Sequence, residues 1–178
     1  MNAYLKAGLV IALIFVTDQA TKYWVYTVFD LPGWCSGNRV FPCQYPVTSF
    51  FNLAVGWNTG ISFGLFNNGD EWNKVIISAL VIGVTLWLLI WYGRTDSRVL
   101  RAALPLVIGG ALGNLVDRIR FGAVFDFLDF HVAGWHWYTF NIADSAIVIG
   151  VVLIAWDGLF SSDETAKQDP TGPSKDGA

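Results

Sequence analysis

Charge is scarce in this sequence. Only 14% of its 178 residues are Asp, Glu, Lys or Arg, while 54% are apolar and 16% aromatic. So little charge does not coat a soluble globule of this length. Long apolar runs with few charges read instead as membrane spans of roughly 20 residues each. The net charge is −3 and no basic stripe is visible, which argues against nucleic acid as a partner. Cysteine is limited to Cys35 and Cys43, too few for a metal cage built of Cys alone. Both lie in one Gly/Pro-containing loop, where a disulfide and two unpaired thiols are both open readings. Histidine is limited to His131 and His136, in a loop and without CxxC or HExxH context. A surface or interfacial role is favoured for them, and no metal or other cofactor is expected.

What is present is apolar length. The runs predict four spans, at about 7–29, 72–92, 100–118 and 140–160. The first begins like a signal peptide, with Lys6 followed by Ala7–Val16. Asp18 and Lys22 follow, however, no small-x-small cleavage site appears, and the apolar pattern resumes at Tyr23, Trp24 and Val25. It reads as a retained helix. The loop GRTDSRVLR between the second and third spans carries Arg94, Arg98 and Arg101. This assigns it to the cytoplasm, together with both termini, where Lys6, Lys167 and Lys175 agree. The loops 30–71 and 119–139 then face outward. Arg118 and Arg120 run against this rule, and a polar partner inside the protein is a reason to keep Arg118 there.

The outer loops carry strand and turn signals. Val47–Trp57 is rich in aromatic and β-branched residues, Asn58-Thr59-Gly60 offers a turn before Ile61–Phe66, and Asn67-Asn68-Gly69-Asp70 offers another. Ala123–Phe130 and Trp135–Phe140 flank a Val-Ala-Gly connection and also read as strands. The expected architecture is an all-α membrane bundle of four transmembrane helices with a small extracytoplasmic β-sheet. Trp34, Trp57, Trp72, Trp135 and Trp137 fall near the outer interface, where amphipathic rings prefer to lie. One membrane domain is expected over 1–160. The polar tail 161–178 cannot bury a core and is expected to be a disordered cytoplasmic segment.

Acids and amides inside or beside these spans are expensive, so each needs a reason. Asp18 and Lys22 are four apart on one helix face, the spacing of a structural ion pair. Asp18 lies near mid-span, which separates it from the other acids. Asn114, Asp117 and Arg118 fall on one sector at the outer end of the third span, behind the packing glycines Gly109, Gly110 and Gly113. In Val124–Phe130, Asp126 and Asp129 are an odd number of residues apart, so a strand turns them to opposite faces and only one reaches a shared site. Asn141 suits an N-cap and Asp144 the acid of a capping box, although capping alone explains poorly a carboxylate entering a long apolar run.

Five blocks, in this order on four spans, resemble the lipoprotein signal peptidase family, the bacterial type II signal peptidases. They are Asp18-Gln-Ala-Thr-Lys22, Asn58-Thr-Gly60, Gly109-Gly-Ala-Leu-Gly-Asn114-Leu-Val-Asp117-Arg118, Val124-Phe-Asp126-Phe and Phe140-Asn141-Ile-Ala-Asp144-Ser145. The resemblance covers about residues 5–160. It implies that Asp126 and Asp144 are the catalytic pair of an aspartic endopeptidase. Asn58, Asn114, Arg118 and Asn141 match residues around that pair or on the substrate. Asp117 is supporting structure beside Arg118, and Asp18 and Lys22 are structural. The implied substrate is a prolipoprotein whose lipobox Cys carries diacylglyceryl, cut before that Cys by a monomer in the bacterial inner membrane, with the site at its outer face. Membrane lipid is the other partner, and globomycin an inhibitor of the same groove. The stretch Leu31–Pro46 is longer and richer in Cys, Pro and Trp than the family suggests, and Ile61-Ser62-Phe63 replaces the usual two small residues before Phe.

Three other readings compete. A small proton- or cation-coupled transporter using Asp18, Asp117, Asp126 and Asp144 requires acids spaced through the membrane depth, yet three of the four cluster at one face. A membrane scaffold explains Asp18–Lys22 and the glycines but not the outer acids. A GxGD-type protease requires a Gly-x-Gly-Asp block, which is absent.

Overall fold

The computed structural model of the protein describes residues 2–38, 43–59 and 71–160. The expected strand Ile61–Phe66, the turn at 67–70 and the tail 161–178 lie outside the described residues.

Helix α1 (Ala3–Tyr23) opens on Asn2, whose side chain accepts from the Tyr4 N–H at 3.0 Å, and runs on into a π-helical turn at Trp24–Val28. It starts before the expected residue 7, because Asn2 supplies the cap. Helix α2 (Leu31–Asn38) lies where a loop was expected. Its start is set by Asp30, in the left-handed region at φ 50°, whose Oδ1 accepts from the Gly33 N–H at 3.2 Å. Gly and Pro masked this helix in the sequence. Helix α3 spans Glu71–Arg94. Helix α4 (Arg98–Phe121) is capped by Ser97 and closed by Gly122, whose φ of 78° is the left-handed conformation that glycine adopts freely. Helix α5 spans Ile142–Phe160.

Among the described residues, four helical stretches are long and apolar enough to cross a membrane: the one beginning at Ala3, Val75–Arg94, α4 and α5. In α4, 61% of the most apolar window is buried, against 11% to 22% in the other three. Helix α4 is therefore the centre of the bundle, and the others turn Leu13, Leu80, Trp87 and Ile149 outward. Small residues let the backbones close in, as expected where lipid is as apolar as the side chains. A Cβ on Gly110 would strike the Ala143 carbonyl, and one on Gly150 would lie 2.9 Å from the Ala103 carbonyl oxygen.

Among the described residues, four antiparallel strands follow the order β1-β2-β3-β4: Gln44–Pro46, Phe51–Asn58, Val124–Val132 and Trp135–His136. The register pairs Gly56 with Asp126 and Asn52 with Asp129, with an irregularity between Leu53 and Gly56. Ala133 and Gly134, at φ 51° and 82°, make the tight turn into β4, the geometry that matches strand twist. The expected strand Trp135–Phe140 shortens to two residues plus a single bridge between Leu128 and Phe140. One apolar cluster (Ala7, Leu88, Tyr92, Leu104, Ile108) ties α1, α3 and α4 together. A second (Val25, Leu31, Cys35, Leu53, Phe125, Phe127) seats the sheet on α2 and the end of the first span. Cys35 and Cys43 form a disulfide with their Cα atoms 5.5 Å apart, which decides the question the sequence left open.

Candidate active site

The sheet and the helix ends meet at Asn141. This residue is fully buried at the start of α5, and its amide faces two acids at once. Its Oδ1 accepts from the Asp144 N–H at 2.9 Å, which fixes the amide so that Nδ2 donates to Asp126 Oδ1 at 2.7 Å. Asp144 Oδ2 in return accepts from the Asn141 N–H at 3.2 Å, so the two residues form a reciprocal capping box. Capping does not exhaust Asp144, because its Oδ1 also accepts from Asn114 Nδ2 at 2.7 Å. Asn141 thus donates to both carboxylates, to Asp126 through its side-chain amide and to Asp144 through its backbone N–H, though one acid comes from a strand and the other from a helix.

Strand parity holds. Asp126, 3% exposed, turns toward Asn141 and is also hydrogen-bonded by the Asn58 side chain. Burial, and then the negative charge of Asp144, push the Asp126 carboxyl up to about 7, against the hydrogen bonds of Asn141 and Asn58 and the charge of Lys22. Asp129 turns to the opposite face, where Asn52 Nδ2 donates at 2.8 Å and His136 Nδ1 lies 2.9 Å away. Sequence reasoning missed this second cluster. The β2 register and the i,i+7 approach across the hairpin create it, and neither leaves a local signal.

A layer of charge lies behind Asn141. Lys22 Nζ is 2.8 Å from both Asp18 Oδ2 and Asp117 Oδ2, and donates to Asn114 Oδ1 at 3.2 Å. That last bond orients the Asn114 amide so that its Nδ2 reaches Asp144. Asp117 turns to α1, and its Oδ2 also accepts from the Phe125 N–H at 3.2 Å, one residue from Asp126. Asp18 is not remote from the other acids, as its mid-span position suggests. Its Oδ1 accepts from the Ala143 N–H at 2.9 Å, next to Asp144, because α5 starts against α1. Gln19 was also missed: its Nε2 donates to Asp117 Oδ1 at 2.9 Å and to Asp18 and the Gly113 carbonyl at 3.2 Å. Arg118 approaches the Asn114 carbonyl at 3.4 Å and sits in the field of Asp144, Asp126 and Asp117. Among the described residues no group of three His, Cys, Asp or Glu side chains is arranged to hold a metal ion.

A buried Asp126 carboxyl raised to about 7 beside the half-buried carboxylate of Asp144 is the arrangement that general acid–base chemistry requires. Residues 10–160 match the family model described as Signal peptidase (SPase) II. A lipoprotein signal peptidase of Nitrobacter hamburgensis is 42% identical over 160 residues, covering 87% of this chain and 93% of that protein. One from Methylorubrum extorquens is 36% identical, covering 97% and 96%. A solved bacterial membrane enzyme superposes with a TM-score of 0.72 at 25% identity, over 95% of this chain and 94% of that one. Fold, family model and relatives agree: this chain belongs to the signal peptidase II family, as a multi-pass bacterial membrane protein.

Proposed function

We propose that the protein is an aspartic endopeptidase that removes the signal peptide from diacylglyceryl-modified prolipoproteins, cutting before the lipidated Cys, with Asp126 and Asp144 as its catalytic pair. The observation that carries this reading is the Asn141 side chain, which donates to Asp126 and accepts from the Asp144 backbone. In the resting state Asp126 holds the proton, which its elevated carboxyl near 7 favours. Asp144 takes a proton from water, and the hydroxide so formed attacks the scissile carbonyl carbon. Asp126 polarises the carbonyl oxygen and then delivers its proton to the leaving amine nitrogen. The proton belongs to the pair, which returns to one proton after each turnover.

Asn114 and Asn141 orient the carboxyls, and Arg118 and Asn58 border the space where a peptide carbonyl binds. Asp18, Lys22 and Asp117 hold this frame from behind. The site faces the extracytoplasmic side of the inner membrane, with both termini in the cytoplasm. Arg94, Arg98 and Arg101 support this orientation, and so does a disulfide in the first outer loop, since disulfides persist in oxidising compartments. A substrate whose acyl chains stay in the bilayer presents its peptide at that depth. On the same reading the protein acts as a monomer, and globomycin competes for the groove. A transport path through the acids has little in its favour, since Asp18 and Asp117 are both paired with Lys22.

The test is cleavage of a lipidated prolipoprotein by purified protein in detergent. Asp126→Asn and Asp144→Asn are expected to lose cleavage while staying folded, and Asp129→Asn to retain it. A dead Asp129→Asn beside an active Asp126→Asn would reverse the assignment.

A further inference from the structure

The disulfide lies closer to the catalytic strand than its place in a surface loop suggests. Cys35 is carried by α2 and is 6% exposed, while Cys43, just before β1, is partly exposed. The Cys43 carbonyl accepts from the Val55 N–H at 3.1 Å, adding a rung to the β1–β2 ladder. Tyr45 on β1 sets its ring edge-on to Trp34 at 4.9 Å and to Phe29 at 5.1 Å. Beneath them Cys35 packs with Leu53, Phe125 and Phe127. Phe125 and Phe127 are the two neighbours of Asp126, and Ile142, the neighbour of Asn141, packs on the same cluster. Strand β1 has only three residues, so few ladder bonds hold this edge of the sheet. The covalent link to α2 fastens it over the cluster that seats Asp126.

We propose that Cys35–Cys43 is a reversible thiol–disulfide site that clamps the sheet behind Asp126, and that its reduction by a dithiol lowers prolipoprotein cleavage. The inference rests on the function proposed above. A dithiol thiolate attacks the Sγ of Cys43, the less buried residue of the two. The Sγ–Sγ bond breaks, and Cys35 leaves as a thiolate that takes up a proton. The second thiol of the reagent then displaces Cys43, so the reagent ends as a disulfide and the protein gains two electrons and two protons. A disulfide oxidant reverses the step. Reduced, α2 and β1 part, and Phe125 and Phe127 lose the lid that fixes the strand between them.

The experiment uses the full chain in detergent with a diacylglyceryl-prolipoprotein. Samples are left oxidised, reduced with dithiothreitol, or reduced and then reoxidised, with thiols counted by alkylation and mass. Reduction is expected to lower kcat/KM five-fold or more at unchanged helix content, and reoxidation to restore it. A Cys35→Ser/Cys43→Ser variant is expected to sit at the reduced level and ignore dithiothreitol. Less than a two-fold change on full reduction overturns the clamp. So does global unfolding of the reduced protein, which would make the bond a staple and not a reversible site. An oxidised wild type that does not cleave refutes the proposed function instead, which keeps the two failures apart.

Discussion

Asp126 is predicted to cost the fold stability at neutral pH, and replacing it is predicted to return some. Its carboxyl sits at about 7 in the folded protein instead of the ordinary 3.8, because it is buried beside a second carboxylate. A group whose folded pKa is raised contributes most below its unfolded pKa, and that contribution is lost as pH rises through the folded value. At about 1.4 kcal/mol for each tenfold in proton affinity, linkage between 3.8 and about 7 gives a penalty of roughly 2 kcal/mol at pH 5 and roughly 4 kcal/mol at pH 8. Asp126→Asn carries no such charge. The stability difference between variant and wild type should therefore move in favour of the variant by roughly 2–3 kcal/mol from pH 5 to pH 8. The absolute difference is smaller than the linkage figure, because a neutral amide accepts more weakly from Asn141 and Asn58 than a carboxylate does. Thermal unfolding in detergent at the two pH values measures it, with Asp129→Asn as the control on the opposite face. A difference that stays flat with pH, or that runs against Asp126→Asn as pH rises, refutes the claim that a raised carboxyl was retained for chemistry at the expense of stability.

Cleavage should fall as pH rises above about 7, where Asp126 loses the proton it must deliver, and Asn58→Ala should shift that limb to higher pH by removing a bond that favours the carboxylate; a kcat/KM profile reads both. Lys22→Met leaves Asp18 and Asp117 buried without their counter-charge, and a loss of about 3–5 kcal/mol is expected, measurable as a large drop in Tm. Adding Asp117→Asn should recover part of it. Gly113→Ala places a Cβ 2.7 Å from Asp18 Oδ2 and should cost about 1–3 kcal/mol with a matching loss of activity, whereas Gly83→Ala, with nothing within 4 Å, should leave both unchanged.

The spans were legible because lipid imposes a length and a composition that nothing else in a sequence imitates, and helices α3, α4 and α5 fall close to where apolar runs predict them. The parity of Asp126 and Asp129 was legible because a strand alternates whatever surrounds it. So was the Asn141–Asp144 capping box, which lies within four consecutive residues. Helix α2 was not, because it depends on a left-handed Asp30 and on an apolar cluster whose buried members come from α2, the end of the first span, β2 and β3. The reach of Asp18 to Ala143 across 125 positions was not legible either, nor was the pairing of Lys22 with Asp117. The sequence by itself determined which residues carry charge into the apolar bundle and which strand face each acid takes, since periodicity and the cost of burying charge are local rules. Only the tertiary structure decided which of those groups meet. The orientation of the Asn114 and Asn141 amides, and with it the elevated carboxyl of Asp126, depends on partners that the chain brings together from three helices and a sheet.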